Sequence, residues 1–116
     1  MSKLEEFRLF REKMNEKLLN SGNRQIKKFF ALDTQAYHKG VLSTKTKEML
    51  GLVASTVLRC NDCITYHIIR SVEEGLTNEE FYEVMNIALI VGGSITIPHI
   101  RRAVEILEEC RERHVK

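Results

Sequence analysis

EMLGLVASTVLRCNDCITYHIIRSV, running from Glu48 to Val72, is the stretch that decides the fold. From Met49 to Leu58 it is apolar or small nearly all the way round. That pattern predicts a helix either central to the domain or buried between subunits. The second half carries Cys60-Asn61-Asp62-Cys63-Ile64-Thr65-Tyr66-His67. At 100° per residue, Cys60, Cys63 and His67 fall within an arc of about 60° on one side of a helix. Ile64, Ile68, Ile69 and Val72 form an apolar arc beside that stripe. Two thiols and an imidazole then lie where a buried face meets solvent, which gives a reactive thiol both shielding and access. Asn61 or Asp62 is the expected cap of this helix and Gly75 its stop.

Working outward, Ser43 or Thr44 caps the apolar helix, which enters through Lys45, Lys47 and Glu48. Upstream, Leu4, Phe7, Phe10, Met14 and Leu18 recur at spacings of three and four, predicting an amphipathic helix over 3–20 that stops near Gly22. A second pattern over 23–38 places Ile26, Phe29, Phe30 and Tyr37 on one side and closes at Gly40, with His38 in a last turn favoured by the helix dipole. Downstream, Thr77-Asn78-Glu79-Glu80 has the form of a capping box and opens a helix through Val91 whose second half is again almost wholly apolar. Gly92-Gly93 breaks that helix. Ser94 or Thr96 then caps a last one, with Pro98 in its first turn and Ile100, Ala103, Val104 and Leu107 facing the core. No stretch shows sustained strand alternation. The fold class expected is all-α, a compact bundle of five or six helices forming one domain over residues 1–116. Two nearly all-apolar helices are more than one small bundle covers, so a homo-oligomer is expected.

The 116 residues are 43% hydrophobic and 29% charged, with one proline and six glycines, a composition that fits a packed domain and not a disordered chain. The net charge is +2, with basic residues interleaved with Glu, so no nucleic-acid stripe is present. The N-terminus lacks a secretory pattern, and no apolar run reaches the roughly 18 residues needed to span a bilayer. A cytoplasmic location is the expectation, with neither nucleic acid nor membrane as partner. In a reducing compartment a Cys-x-x-Cys pair is more often redox-active or metal-binding than a structural staple.

A free thiol titrates near pH 8.5, and its thiolate is the nucleophile; a helix N-terminus and a nearby imidazolium both favour the thiolate. His67, one turn beyond Cys63, can serve as base or charge partner. The second thiol then resolves the oxidised first one as an intramolecular disulfide. The same three side chains, with a fourth ligand from elsewhere, form an alternative metal site, and an incidental pair is a third reading. Cys110 falls on the Ala103 and Leu107 side of its helix and reads as a core residue. His114 reads as solvated. His99, beside the Gly-Gly break, reads as structural, although a helix start next to such a turn can line a pocket.

Glu48, Cys60-x-x-Cys63 and His67, followed by Gly75 to Glu80 and by Gly92-Gly93 to Pro98-His99, resemble the carboxymuconolactone decarboxylase and alkylhydroperoxidase D superfamily. The likeness covers about residues 43–107, and its signature is Glu, eleven residues, Cys-x-x-Cys, three residues, His. It points to the peroxidase-like branch. The resemblance implies an all-α homo-oligomer, commonly a trimer or hexamer, with thiol-dependent peroxidase or disulfide-reductase chemistry and no cofactor or metal. It implies that Cys60 and Cys63 form the redox disulfide and that Glu48 and His67 relay the proton; on that footing Cys63 is the expected nucleophile and Cys60 the resolving thiol. The implied partners are a small hydroperoxide or disulfide substrate and a dithiol or disulfide reductant.

Alternatives from the same residues are a decarboxylase-like enzyme acting on a small cyclic acid through His67, His99 and Glu48, and a non-enzymatic oligomeric redox-sensing or metal-binding module. Helix geometry alone does not select Glu48. In a plain antiparallel hairpin it sits about 9 Å farther from the turn than His67. One departure from alkylhydroperoxidase D itself is Asp62, in the place where that enzyme usually carries a histidine; a carboxylate beside Cys63 opposes the dipole and His67 in favouring a thiolate.

Overall fold

The computed structural model describes the backbone of residues 1–115 and the side chains of residues 1–113. The expectation for His114 falls outside the described side chains. Six α-helices follow one another: α1 (Lys3–Leu19), α2 (Arg24–Ala36), α3 (Thr44–Val57), α4 (Asn61–Glu73), α5 (Asn78–Gly92) and α6 (Ile97–Val115), with a 3-10 turn at Ser94–Thr96 before α6. No strand occurs among the described residues. Side-chain caps start most of the helices. The oxygens of Ser2, Asn23 and Ser43 accept backbone N–H bonds from Glu5, Ile26 and Thr46, and Thr77 with Glu80 forms the reciprocal capping box.

Two of the expected caps are corrected. Helix α4 is capped by Cys60 and not by Asn61 or Asp62. At the start of α6 the chain enters through the 3-10 turn, where the Thr96 hydroxyl donates to the Gly93 carbonyl instead of accepting an N–H.

Helix α4 is the centre of the packing. It lies against α3 and α6, and α3 packs on α5 as well. Ile64, Ile68, Ile69 and Val72 are buried, as the apolar arc predicts, against Leu52 of α3, Ala103 and Leu107 of α6 and Leu4 of α1. Burying one such side chain stabilises the fold by about 1.5–3 kcal/mol. Cys110 belongs to this core, and burial pushes its thiol pKa up.

The two outer faces are another matter. Helix α2 contributes no buried residue, and Phe29 and Leu32 are each 64% exposed. The radius of gyration is 14.7 Å, above the roughly 13 Å of a compact domain this long. Across α3 and α5, Leu50, Leu58, Ile87, Ile90 and Val91 are exposed. A groove of about 670 Å³ runs between these two helices, lined by Leu50, Val53, Val57, Val84 and Ile87 among others. The apolar helices are thus central on one side and uncovered on the other.

Candidate active site

The site begins at the break between α3 and α4. Leu58 closes α3, the Arg59 N–H donates to the Thr56 carbonyl and the Cys60 N–H to the Ser55 carbonyl, each at 3.1 Å. This is the paired bond pattern of a Schellman motif. The motif needs a left-handed residue at its turn, and Arg59 takes that role with φ of 61°. Gly75 does the same job after α4, with φ of 94° and the Leu76 N–H on the Ser71 carbonyl. In an L residue that conformation costs about 1–2 kcal/mol.

The break leaves Cys60 extended, as the first cap of α4, with its sulfur accepting the Cys63 N–H at 3.2 Å. The two Cα atoms are 5.2 Å apart and the sulfurs are joined in a disulfide. Cys60 therefore stands at the helix end, with Cys63 and His67 following on α4. Cys63 is exposed and Cys60 half-buried.

One turn on, His67 is 9% exposed and its Nδ1 lies 2.8 Å from Oε1 of Glu48, which is 1% exposed. The carboxylate accepts, so Nδ1 carries the proton and Nε2 the lone pair. The other Glu48 oxygen is 3.6 Å from Nε of Arg70. The Arg70 pKa is raised, first by its bond to Glu73 and also by the Glu48 charge, so the guanidinium stays a firm counter-ion. A buried carboxylate needs such partners, since an unpaired one is costly.

Glu48 reaches His67 because the link between α3 and α4 is short. With Leu58, Arg59 and Cys60 outside both helices, Glu48 is nine residues from the end of α3 and His67 six from the start of α4, leaving an axial offset of about 4.5 Å. That is about half the 9 Å offset of the plain hairpin, and the two side chains span it.

Two further groups complete the constellation, and sequence reasoning gave neither a role in the site. The Tyr37 hydroxyl, at the end of α2, lies 3.4 Å from Nε2 of His67. Burial, then the Glu48 charge, push its pKa up, so the phenol stays protonated and donates. Gly51 makes room for both groups. A Cβ there falls 2.7 Å from Cε1 of His67 and 2.7 Å from the Tyr37 oxygen. The signal in the sequence was a glycine inside a helix, which costs about 1 kcal/mol relative to alanine and points to a close approach.

Cys63, Tyr66 and His67 open onto a cleft of about 350 Å³, walled from α1 by Phe7, Phe10 and Met14. The Arg11 guanidinium lies 4.1 Å over the Tyr66 ring at the same wall. Asp62 also lines this cleft and is exposed, so solvent screens the carboxylate that opposes a Cys63 thiolate. The larger α3/α5 groove holds neither cysteine nor His67, and the chemistry therefore belongs to the smaller cleft. Nδ1 of His99 is 2.8 Å from Oδ1 of Asn61, so this histidine braces the turn between the cysteines rather than bonding to Glu48 or His67. Among the described residues no group of three His, Cys, Asp or Glu side chains is gathered to hold a metal ion.

An all-helical bundle with a Cys-x-x-Cys disulfide at the start of its central helix and a buried Glu–His pair behind it defines a helical protein of the type the motif resembles. Residues 26–108 match the model of the carboxymuconolactone decarboxylase family, and the chain belongs to that family. A Thermotoga maritima protein of this family, described as a candidate for a role in the antioxidative response, has a crystal structure similar to this one. The TM-score is 0.89 at 55% identity, covering 94% of this chain and 92% of that one. A Legionella pneumophila family member in its apo form shares the fold, with a TM-score of 0.87 at 24% identity over 95% of this chain and 98% of that one. A Paracoccus denitrificans protein known as uncharacterized protein 4 of the cox locus is 28% identical over 81 residues, 70% of this chain and 73% of its own.

Proposed function

We propose that the chain is a thiol-dependent oxidoreductase, a peroxidase or disulfide reductase that cycles the Cys60–Cys63 pair. The observation that carries this reading is the disulfide at the N-terminus of α4, with its exposed Cys63 and the Glu48-bound His67 opening onto one cleft. The candidate antioxidative role of the Thermotoga maritima relative supports it.

In the reduced protein the Cys63 thiol gives its proton to Nε2 of His67, whose Nδ1–H rests on Glu48. The helix N-terminus favours the resulting thiolate. The thiolate attacks the terminal oxygen of a hydroperoxide, the O–O bond breaks, and the departing alkoxide takes a proton to leave as an alcohol. Cys63 becomes a sulfenic acid. The Cys60 thiol attacks that sulfur, water leaves and the disulfide closes. A dithiol returns two electrons and two protons and is itself left as a disulfide. With a disulfide substrate, Cys63 attacks sulfur instead and Cys60 resolves the mixed disulfide.

The uncovered faces of α2, α3 and α5 support a homo-oligomer, trimer or hexamer, as the working assembly. No helix of the described residues is long and apolar enough to cross a membrane, and action in the cytoplasm is part of the proposal.

The test is a thiol titration of the reduced protein with and without a stoichiometric alkyl hydroperoxide, followed by mass mapping. Loss of two thiols into a Cys60–Cys63 link is expected. Cys63→Ser should abolish hydroperoxide-dependent turnover, and full activity in that variant refutes Cys63 as nucleophile. Persistence of all three thiols in the presence of peroxide and of disulfides refutes the redox reading.

A further inference from the structure

We propose that Tyr37 is a positioning residue of this site. Its hydroxyl holds Nε2 of His67 while the cysteines are joined and releases it when they are reduced, so that this hydrogen bond stabilises the disulfide relative to the dithiol. The inference rests on the reading of His67 as the base for Cys63.

A neutral imidazole with its proton on Nδ1 has one lone pair, on Nε2. Glu48 fixes that tautomer from 2.8 Å. The lone pair therefore accepts from the Tyr37 hydroxyl or from the Cys63 thiol, but not from both. With the disulfide closed, neither sulfur has a proton to donate, and Nε2 is engaged by Tyr37 at 3.4 Å. That distance is long beside the usual 2.7–3.0 Å, so the contact yields to a better donor at little cost.

The tyrosine is nonetheless held in place. The Lys47 ammonium donates to the carbonyls of Ala36 and His38, the residues on either side of it, at 2.9 and 2.6 Å. This ties the end of α2 to α3 one residue before Glu48. Gly51 then supplies the gap through which the hydroxyl reaches the ring. The two rings lie 5.3 Å apart between centroids, so removing the hydroxyl alone leaves the packing in place.

A bond made in the oxidised form and given up in the reduced form favours oxidation. For a contact this long its net worth is at the low end of hydrogen bonds, about a threefold change in equilibrium constant, or about 14 mV for a two-electron couple.

The experiment equilibrates the protein and Tyr37→Phe with mixtures of reduced and oxidised dithiothreitol, traps thiols with iodoacetamide and reads the dithiol fraction by mass. Dithiothreitol supplies both electrons and both protons. The S–S bond of the protein breaks, each sulfur gains a proton, and the reagent closes to its cyclic disulfide. Tyr37→Phe should be about threefold easier to reduce. Tyr82→Phe, at an exposed tyrosine of α5 that packs on Phe81 outside the cleft, should match the parent. An unchanged or opposite shift in Tyr37→Phe overturns the proposal, as does an equal shift in Tyr82→Phe. If Tyr37→Phe does not fold, Gly51→Ala replaces it, with the same expected direction and the same refuting result. The measurement uses no hydroperoxide, so a protein that fails as a peroxidase still reports on Tyr37, and a null result here leaves the peroxidase reading standing.

Discussion

Gly51→Ala sets two opposing effects against each other. Helix propensity favours the substitution: alanine in a helix interior is about 1 kcal/mol better than glycine. The site opposes it, because the new Cβ falls 2.7 Å from Cε1 and 2.9 Å from Nε2 of His67, and 2.7 Å from the Tyr37 oxygen. Ordinary carbon contacts need about 3.5 Å, so something must move by roughly 0.8 Å. The Tyr37 hydroxyl is the far end of a side chain and can swing aside even with its backbone tethered. The imidazole, buried and tied to Glu48 at 2.8 Å, moves only by straining that bond. Forcing a methyl into such a site costs about 1–3 kcal/mol, so the strain wins.

The expected outcome is a net loss of up to about 2 kcal/mol, a fall in Tm of several degrees for a domain this size. Oxidation of the reduced protein by hydroperoxide should slow by at least about tenfold, because a displacement on the order of 1 Å misplaces the base. Urea unfolding gives the first quantity and single-turnover stopped flow the second. A variant that gains about 1 kcal/mol and keeps its oxidation rate refutes the close packing of His67 on α3.

Glu48→Gln should separate stability from rate. It removes a buried charge while keeping the shape, so unfolding free energy should change by no more than about 1 kcal/mol, while disulfide formation slows by about 10- to 100-fold as the imidazole loses its carboxylate. A rate equal to the parent's removes Glu48 from the relay. Arg59→Gly relieves the left-handed strain at the α3–α4 break and should be neutral or stabilising by up to about 1 kcal/mol, whereas Arg59→Val should cost at least as much; urea midpoints decide it. Cys110, with its thiol pKa raised by burial, stays protonated at neutral pH. In the folded, reduced protein iodoacetamide should therefore label Cys60 and Cys63 first and Cys110 only at higher pH or in denaturant, and peptide mass mapping after timed quenching reads the order.

Features written within a single turn of helix were legible in the sequence. The spacing of Phe7, Ile64, Ile68 and Val72, the caps at Ser43 and Thr77, and the stop at Gly75 are local, because helical periodicity and capping join residues three or four apart. The proximity of Cys60, Cys63 and His67 is local in the same sense. The cap of α4 was misread because a sulfur took the place of the expected Asn61 or Asp62 oxygen, and the left-handed turn at Arg59 carries no glycine signal in the sequence.

The sequence by itself thus determined the helical class, the helix order and the presence of a cysteine pair with a histidine one turn on. Only the tertiary structure decided that Glu48, from α3, and Tyr37, from α2, both end on the ring of that histidine. The reason is physical. Those contacts depend on the axial offset of two helices after a Schellman break, on a Lys47 tether between helix ends, and on a side chain that Gly51 does not have. None of these is a periodicity, so each is fixed only when the helices pack.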